Sequence, residues 1–373
     1  MIYLDYSATT KIDKEVQDTY IKVCNDFFAN PNSLHKLGTN AKDLIDASTR
    51  QIAKILDVKP DEIIYTSGAT EANNLAIKGV ALRNQKKGKH IITTNLEHSS
   101  VYGPMDFLKK NGFEIDYVNT IDGLIDLDDL KNKLRDDTIL VSICAVNSEI
   151  GIKQDIEKIA KMLKKYKNCY FHVDATQAIG KTKIDYKDVD LLSCTAHKFF
   201  GPKGIGVLIK KENVLMDSLI LGGKSTTIYR SGTPVTPLIA SFSKALRLIT
   251  ENEEQNYKKI KDLNNMICEH LKEYKNISIN TNQYCIPHIL NISVLNAKPE
   301  SIQHALEEYD IYISTQSACA KTNKSRSVYD FTKDDKEASH SIRISISKYT
   351  TEEEIKYFLE CFDKVLKKFN SLI

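Results

Sequence analysis

Between residues 60 and 210 the chain alternates two rhythms. Short apolar runs (EIIYTS, KHIITT, TILVSICAV, NCYFHVDA, VDLLSCTA and GIGVLI) are separated in several places by helical spacing, as in ATEANNLAIKGVALRNQ and QDIEKIAKMLKKYK, which read as amphipathic helices. Apolar runs of this kind read as strands covered on both faces, and their alternation with helices predicts βαβ units and a mostly parallel sheet. GIGVLI follows the preceding run too closely for a crossover helix, so it is expected to run antiparallel. After about residue 245 the pattern changes. A long charged helix (ITENEEQNYKKIKDLNNMICEHLKEY) leads to HILNISVL, a helix at PESIQHALEEY, IYIST, SIRISIS and a final helix at TEEEIKYFLECFDKVLKKF. The expectation is an α/β chain in two parts: a large domain over 16–250 with its sheet flanked by helices, and a smaller α+β domain from 1–15 and 251–373.

Length agrees, because 373 residues exceed the roughly 250–300 at which a single core stops growing. A net charge of +3 gives no reason to expect nucleic acid or a membrane surface as partner. MIYLDYSATT does not read as a signal peptide, and no apolar stretch nears the ~20 residues of a membrane helix. The eight cysteines are scattered without metal-ligand spacing, so no metal is expected and several read as packed thiols of a reducing cytoplasm.

In open α/β sheets ligands bind beyond the carboxyl ends of the strands. Reading only those ends gives Ser67-Gly68-Ala69-Thr70, Glu97-His98, Asn147, Asp174-Ala175-Thr176-Gln177 and Thr195-Ala196-His197-Lys198. TSGATEANN is a strand, a turn of small residues and a helix start, suited to a phosphate, although alone it reads as a simple helix cap. It is not a P-loop, and GGKS at Gly222–Ser225 has Ser218 where that motif needs glycine. Asp174 ends an apolar run, where it caps the next turn or faces a pyridinium nitrogen. Lys198 sits at the tip of another, where a strongly hydrated side chain is rarely found. A lysine in a dry pocket has a lowered pKa and can form a Schiff base with an aldehyde. Phosphate cradle, carboxylate and amine together are what pyridoxal 5'-phosphate (PLP) requires.

The motifs YLDYSATT, FANPNSLHKLG, IIYTSGATEANNLAIKG, LEHSSV, DDTILVSICAVNSEIG, HVDATQAIGK, AHKFFGPKGIG, YRSGTP, SAC and SIRISIS run nearly end to end. Through them the chain resembles the cysteine desulfurases of the NifS/IscS type, class V aminotransferases of PLP-dependent transferase fold-type I. The resemblance implies that Lys198 carries the cofactor, that His98 stacks on its ring and handles protons at the substrate thiol, and that Asp174 pairs with the pyridine nitrogen. It implies that Asn147 and Gln177 bond the ring-oxygen region, and that Ala69, Thr70, Thr195 and His197 hold the phosphate with Thr233 of a second subunit. His197 by itself reads equally as a packed histidine.

Cys319, in STQSACAKTNKSRS, lies in a small polar segment followed by Lys321, Lys324 and Arg326, whose charges favour a thiolate. Residue type alone leaves it open between nucleophile and surface thiol, and the resemblance implies the nucleophile. Arg343 in SIRISIS places a guanidinium on a strand, to grip a substrate α-carboxylate or to form a structural ion pair. Asn30 (ANPNSLH) is a further candidate lining residue. Departures from the family pattern are Gln316 before SAC, LGGKSTTIYRSGT in place of a glycine-rich stretch, and Thr195 for a serine. The implied reaction converts L-cysteine to L-alanine and leaves a persulfide on Cys319. A sulfur-acceptor protein (an iron–sulfur scaffold or tRNA-thiolation enzyme) and a homodimer follow from the same resemblance. The alternatives are a selenocysteine lyase, another PLP-dependent aminotransferase, or a non-catalytic sulfur-relay scaffold.

Overall fold

The computed structural model describes residues 1–223, 225–315 and 324–370, with the Asn370 side chain left aside. Its strands, in chain order, are β1 (Ile2–Tyr3), β2 (Ile63–Thr66), β3 (His90–Thr94), β4 (Glu114–Val118), β5 (Thr120–Ile121), β6 (Leu124–Ile125), β7 (Thr138–Cys144), β8 (Tyr170–Asp174), β9 (Leu191–Thr195), β10 (Gly206–Lys210), β11 (Ile277–Ile279), β12 (Ile289–Val294), β13 (Ile311–Tyr312) and β14 (Ser341–Ser345).

Seven of them form one sheet in the order β2-β10-β9-β8-β7-β3-β4. The pairs from β9 to β4 are parallel, and β10 is antiparallel to both β9 and β2, as GIGVLI predicted. Alternate residues feed two cores. Ile63, Ile92, Val141, Val173 and Leu192 pack on one face, whereas Ile64, Ile91, Leu140, Tyr170 and Leu191 pack on the other. That two-sided burial is why these strands read as unbroken apolar runs. Edge strand β4 (EIDYV) escaped the sequence reading because its pattern is interrupted by charges.

ATEANNLAIKGVALRNQ is not amphipathic. In the helix Ala69–Asn84 the residues Ala72, Asn73, Leu75, Ala76, Ile77, Gly79, Val80, Ala81 and Asn84 are all buried between the sheet and the helix Ser99–Lys110. Small residues on several faces let it sit this deep, which fixes its first turn over the rim of the sheet. The long charged helix is found at Glu253–Leu271, and its expected start at Ile249 belongs to the end of a preceding helix, Thr236–Thr250; Asn252 between them leaves helical geometry at φ −126°, ψ 28°.

The three-stranded sheet β11-β12-β14 carries a separate core with the helices Glu253–Leu271, Pro299–Glu307 and Glu352–Asn370. Ile2 and Leu4 belong to this core. They reach it because β1 pairs in parallel with β13, which therefore stands outside the three-stranded sheet. The chain then returns across β14, where Ser345 N–H donates to Leu4 O (2.7 Å), and runs along the rim of the large sheet. No helix among the described residues is long and apolar enough to cross a membrane.

Candidate active site

Because β2, β3, β7, β8 and β9 point the same way, their carboxyl ends share one rim, and a cavity of about 560 Å³ opens there. It is lined by Ala69, Thr70, His98, Asp174, Gln177, Thr195, His197, Lys198 and Arg343, nine of the predicted positions. Ser67 to Thr70 bring the first turn of the buried helix to its wall, where a helix's leading N–H groups have no intrahelical acceptor. Glu71 holds this turn: it accepts from Ser67 N–H (2.7 Å) and Arg230 Nε (2.9 Å). Against the cost of its burial, those bonds keep the Glu71 carboxyl below its usual range. The turn approaches β10 so closely that a Cβ at Gly206 would stand 2.7 Å from Gly68 Cα.

Lys198 ends a short helical turn after β9 and donates to two backbone carbonyls, Ser7 O (2.6 Å) and Ala8 O (2.9 Å). Burial, and then the charge of Arg343, lower its pKa to about 8, with Asp174 and Asp5 opposing. The backbone just beyond is strained: Phe200 has φ +66°, held by its N–H donating to Thr10 Oγ1 (2.8 Å). His197 Nδ1 lies 3.1 Å from Thr9 Oγ1, and burial, then neighbouring lysines, press its pKa down to about 4. The N-terminal YLDYSATT segment thus wraps the lysine, and it adds Asp5, Ser7 and Ala8 to the cavity wall. The motif was visible in the sequence, but no pattern assigned these residues a role.

Asp174 accepts from Asn73 Nδ2 (2.8 Å) and Thr176 N–H (2.9 Å). Asn73 also donates to Ser100 Oγ (2.9 Å), whose hydroxyl meets His98 Nδ1 (2.9 Å). Neither Asn73 nor Ser100 was singled out, although both lie inside quoted motifs. Burial, assisted by the charges of Lys198 and Arg343, lowers the His98 pKa. Gln177 donates to Ser7 O (2.9 Å) and accepts from the buried amine of Lys181. Burial drives the Lys181 pKa far down, and Lys198 and Arg343 add to it. Thr195 Oγ1 donates to Ile205 O (2.9 Å).

Three expected positions lie off the wall of this cavity. Asn147 does not line the cavity: its Nδ2 donates to Leu96 O (2.7 Å) and Ser327 Oγ (2.9 Å), and its Oδ1 accepts from Glu149 and Ile150 N–H (both 2.8 Å). Its hydrogen-bonding capacity is used up, the oxygen in its own turn and the nitrogen on Leu96 and Ser327. Asn30 is exposed, outside the cavity wall, and caps its own turn by accepting from Asn32 N–H (2.9 Å). Thr233 lines an adjoining groove with Arg230 and Ser225, which shares Ser67 and Gly204 with the cavity.

Arg343 forms the structural ion pair at the edge of the cavity. It borders the cavity while Nη2 pairs with Asp5 Oδ1 (2.7 Å) and Nη1 donates to Ser148 O (3.0 Å), leaving buried Nε without a partner. Cys319, Gln316 and Lys321 lie outside the described residues. The flanking chain is described: Ser314 on the cavity wall pairs with Arg343, and on the far side Ser325 bonds Glu149 and Ser327 bonds Asn147. Lys324 pairs with Asp335 (2.5 Å) and Arg326 stacks 4.2 Å over the Tyr102 ring, so two of the three cations expected beside Cys319 have anchors of their own. Among the described residues no group of histidine, cysteine or carboxylate side chains could hold a metal.

Comparison with known proteins agrees with this geometry. The aminotransferase class-V family model matches residues 2–358. The chain is 39% identical to a NifS/IcsS protein homolog of Lactobacillus delbrueckii subsp. bulgaricus over all of this chain and 99% of that protein. It is 40% identical to the cysteine desulfurase IscS of Proteus mirabilis, over all of this chain and 94% of that protein. A solved NifS-like protein superposes with a TM-score of 0.93 at 35% identity, covering 98% of this chain and 99% of that one.

Proposed function

The chain belongs to the class-V aminotransferase family, within it to the NifS/IscS cysteine desulfurases, and on that premise we propose that Lys198 and Cys319 divide the reaction between them with PLP as cofactor. The residues fit that cofactor. A helix start with unshared N–H groups suits its phosphate, Asp174 offers a carboxylate at the cavity wall, and an amine of lowered pKa lines the same cavity. Bound there, the pyridoxal group supplies an aldehyde and a ring that accepts electrons from the substrate α-carbon.

The protein's residues do the rest. Lys198, with a pKa of about 8, is partly uncharged at neutral pH and so can bond an aldehyde and then move the α-proton at Nζ. Arg343 exchanges the Asp5 carboxylate, held through Nη2 alone, for the substrate carboxylate. His98 borders the place of the substrate sulfur. The Cys319 thiolate attacks that sulfur, the bond from sulfur to the β-carbon breaks, and its electron pair takes up a proton on the way to alanine. L-Cysteine and a thiol thus become L-alanine and a persulfide.

Supporting a homodimer, Leu221, Ile228 and Val235 are exposed apolar residues of the segment that holds Thr233, and Val235 lines the Thr233 groove, a surface suited to a second copy. The cytoplasm as location, division at residues 16–250, and an iron–sulfur scaffold or tRNA-thiolation enzyme as acceptor belong to the same proposal.

The observation that carries the reading is the amine of Lys198 held by the Ser7 and Ala8 carbonyls in the cavity that Asp174 also lines. Borohydride reduction of the yellow protein followed by peptide mapping is expected to place the cofactor on Lys198, and a label on any other lysine overturns it. Lys198→Ala is expected to abolish alanine formation from cysteine. Cys319→Ser is expected to abolish persulfide formation, and a wild-type rate of sulfur release from that variant would remove Cys319 from the mechanism.

A further inference from the structure

Asp174 and His98 stand on different segments, yet a chain of hydrogen bonds joins them and each link has a forced direction. The Asp174 carboxylate accepts, so the Asn73 amide must turn its NH2 group towards it, at 2.8 Å. The second N–H of that group reaches Ser100 Oγ at 2.9 Å. The Ser100 hydroxyl proton is thereby left for His98 Nδ1, also at 2.9 Å. Ser100 points its own backbone N–H at the same nitrogen, at 3.1 Å. Nδ1 faces two donors and must carry the lone pair, so the ring proton is on Nε2. A proton on Nδ1 would oppose two N–H or O–H groups. Asn73 and Ser100 are themselves buried, so water does not compete for these links.

We propose that Asn73 and Ser100 are positioning residues that lock His98 as a neutral ring with its proton on Nε2, so that His98 serves the reacting sulfur as a hydrogen-bond donor and not as a base. The proposal rests on reading this cavity as the site of desulfuration. Among the described residues nothing bonds Nε2, and His98 lies on the cavity wall. The proton balance agrees. When the Cys319 thiolate attacks the substrate sulfur, that sulfur can keep its hydrogen and become the terminal SH of the persulfide. No base is then needed beside it, whereas an N–H donor would orient it for attack.

Wild-type protein labelled with [15N]histidine tests the tautomer directly, with the His98 signals assigned by His98→Gln. The expected spectrum shows an unprotonated Nδ1 and a protonated Nε2, and a protonated Nδ1 overturns the proposal. Ser100→Ala is expected to lower kcat about tenfold with the KM for L-cysteine within about threefold, and Ser100→Thr to restore the rate. A wild-type kcat in Ser100→Ala also overturns it. The tautomer is read without turnover, so a failure of the desulfurase reading would show separately, as absent alanine.

Discussion

Glu97, the residue before His98, is fully enclosed. Oε1 accepts from Thr94 Oγ1 (2.8 Å) and Cys144 N–H (2.9 Å), and Oε2 has no partner. Burial raises its pKa from 4.5 to about 8 against those two bonds. Because the folded value lies above the unfolded one, its contribution to stability is complete below pH 4.5 and is lost as pH rises through about 8. Glu97→Gln is therefore expected to flatten the pH dependence of unfolding over that window. At pH 7 the variant should recover on the order of 3 kcal/mol relative to its difference from wild type at pH 4.5. Urea unfolding at the two pH values reads this, and parallel curves for wild type and variant would refute the upward shift of Glu97. Glu97 and His98 were both legible as polar residues at a strand end. Their opposite fates, one enclosed and one facing the cavity, were not, because adjacent residues of a turn differ in direction and sequence does not state which way the turn points.

At the scale of elements the site depends on how near the start of the helix Ala69–Asn84 comes to β10. A methyl group at position 206 would stand 2.7 Å from Gly68 Cα and 2.8 Å from Cys194 O, and all of these are backbone atoms that cannot rotate away. Gly206→Ala is expected to cost about 1–3 kcal/mol in unfolding free energy and to weaken retention of the cofactor by displacing the helix start. Thermal melts and absorbance after dialysis measure both, and an unchanged melt with full colour would show the contact to be slack. Strand type and order of appearance were readable from apolar runs, and the antiparallel β10 from a short connection. The burial of this helix was misread, because alanine, glycine and asparagine fit a tight buried interface as well as a mixed surface. The break after Thr250 carries no strong breaker such as proline and was likewise invisible.

For the whole molecule, the first ten residues tie the two cores to the site. Leu4 is fully buried in the smaller core, Asp5 holds Arg343, and the carbonyls of Ser7 and Ala8 hold Lys198. Leu4→Ala is expected to cost about 2–4 kcal/mol and, by loosening those carbonyls, to raise the dissociation constant for the cofactor. Lost stability with unchanged cofactor affinity would show the segment to be a structural strap alone. By itself the sequence determined the alternation of strands and helices, the rim on which the polar groups gather, and the lysine at a strand tip on that rim. These follow from local patterning and residue chemistry, and both can be read in a window of a few residues. Only the tertiary structure decided that residues 7 and 8 receive Lys198, that the Asn147 amide nitrogen is spent on Leu96 and Ser327, and that Asn73 and Ser100 join Asp174 to His98. Those facts depend on contacts between segments tens to hundreds of residues apart, and no periodicity along a chain encodes which distant side chain folding will bring into reach.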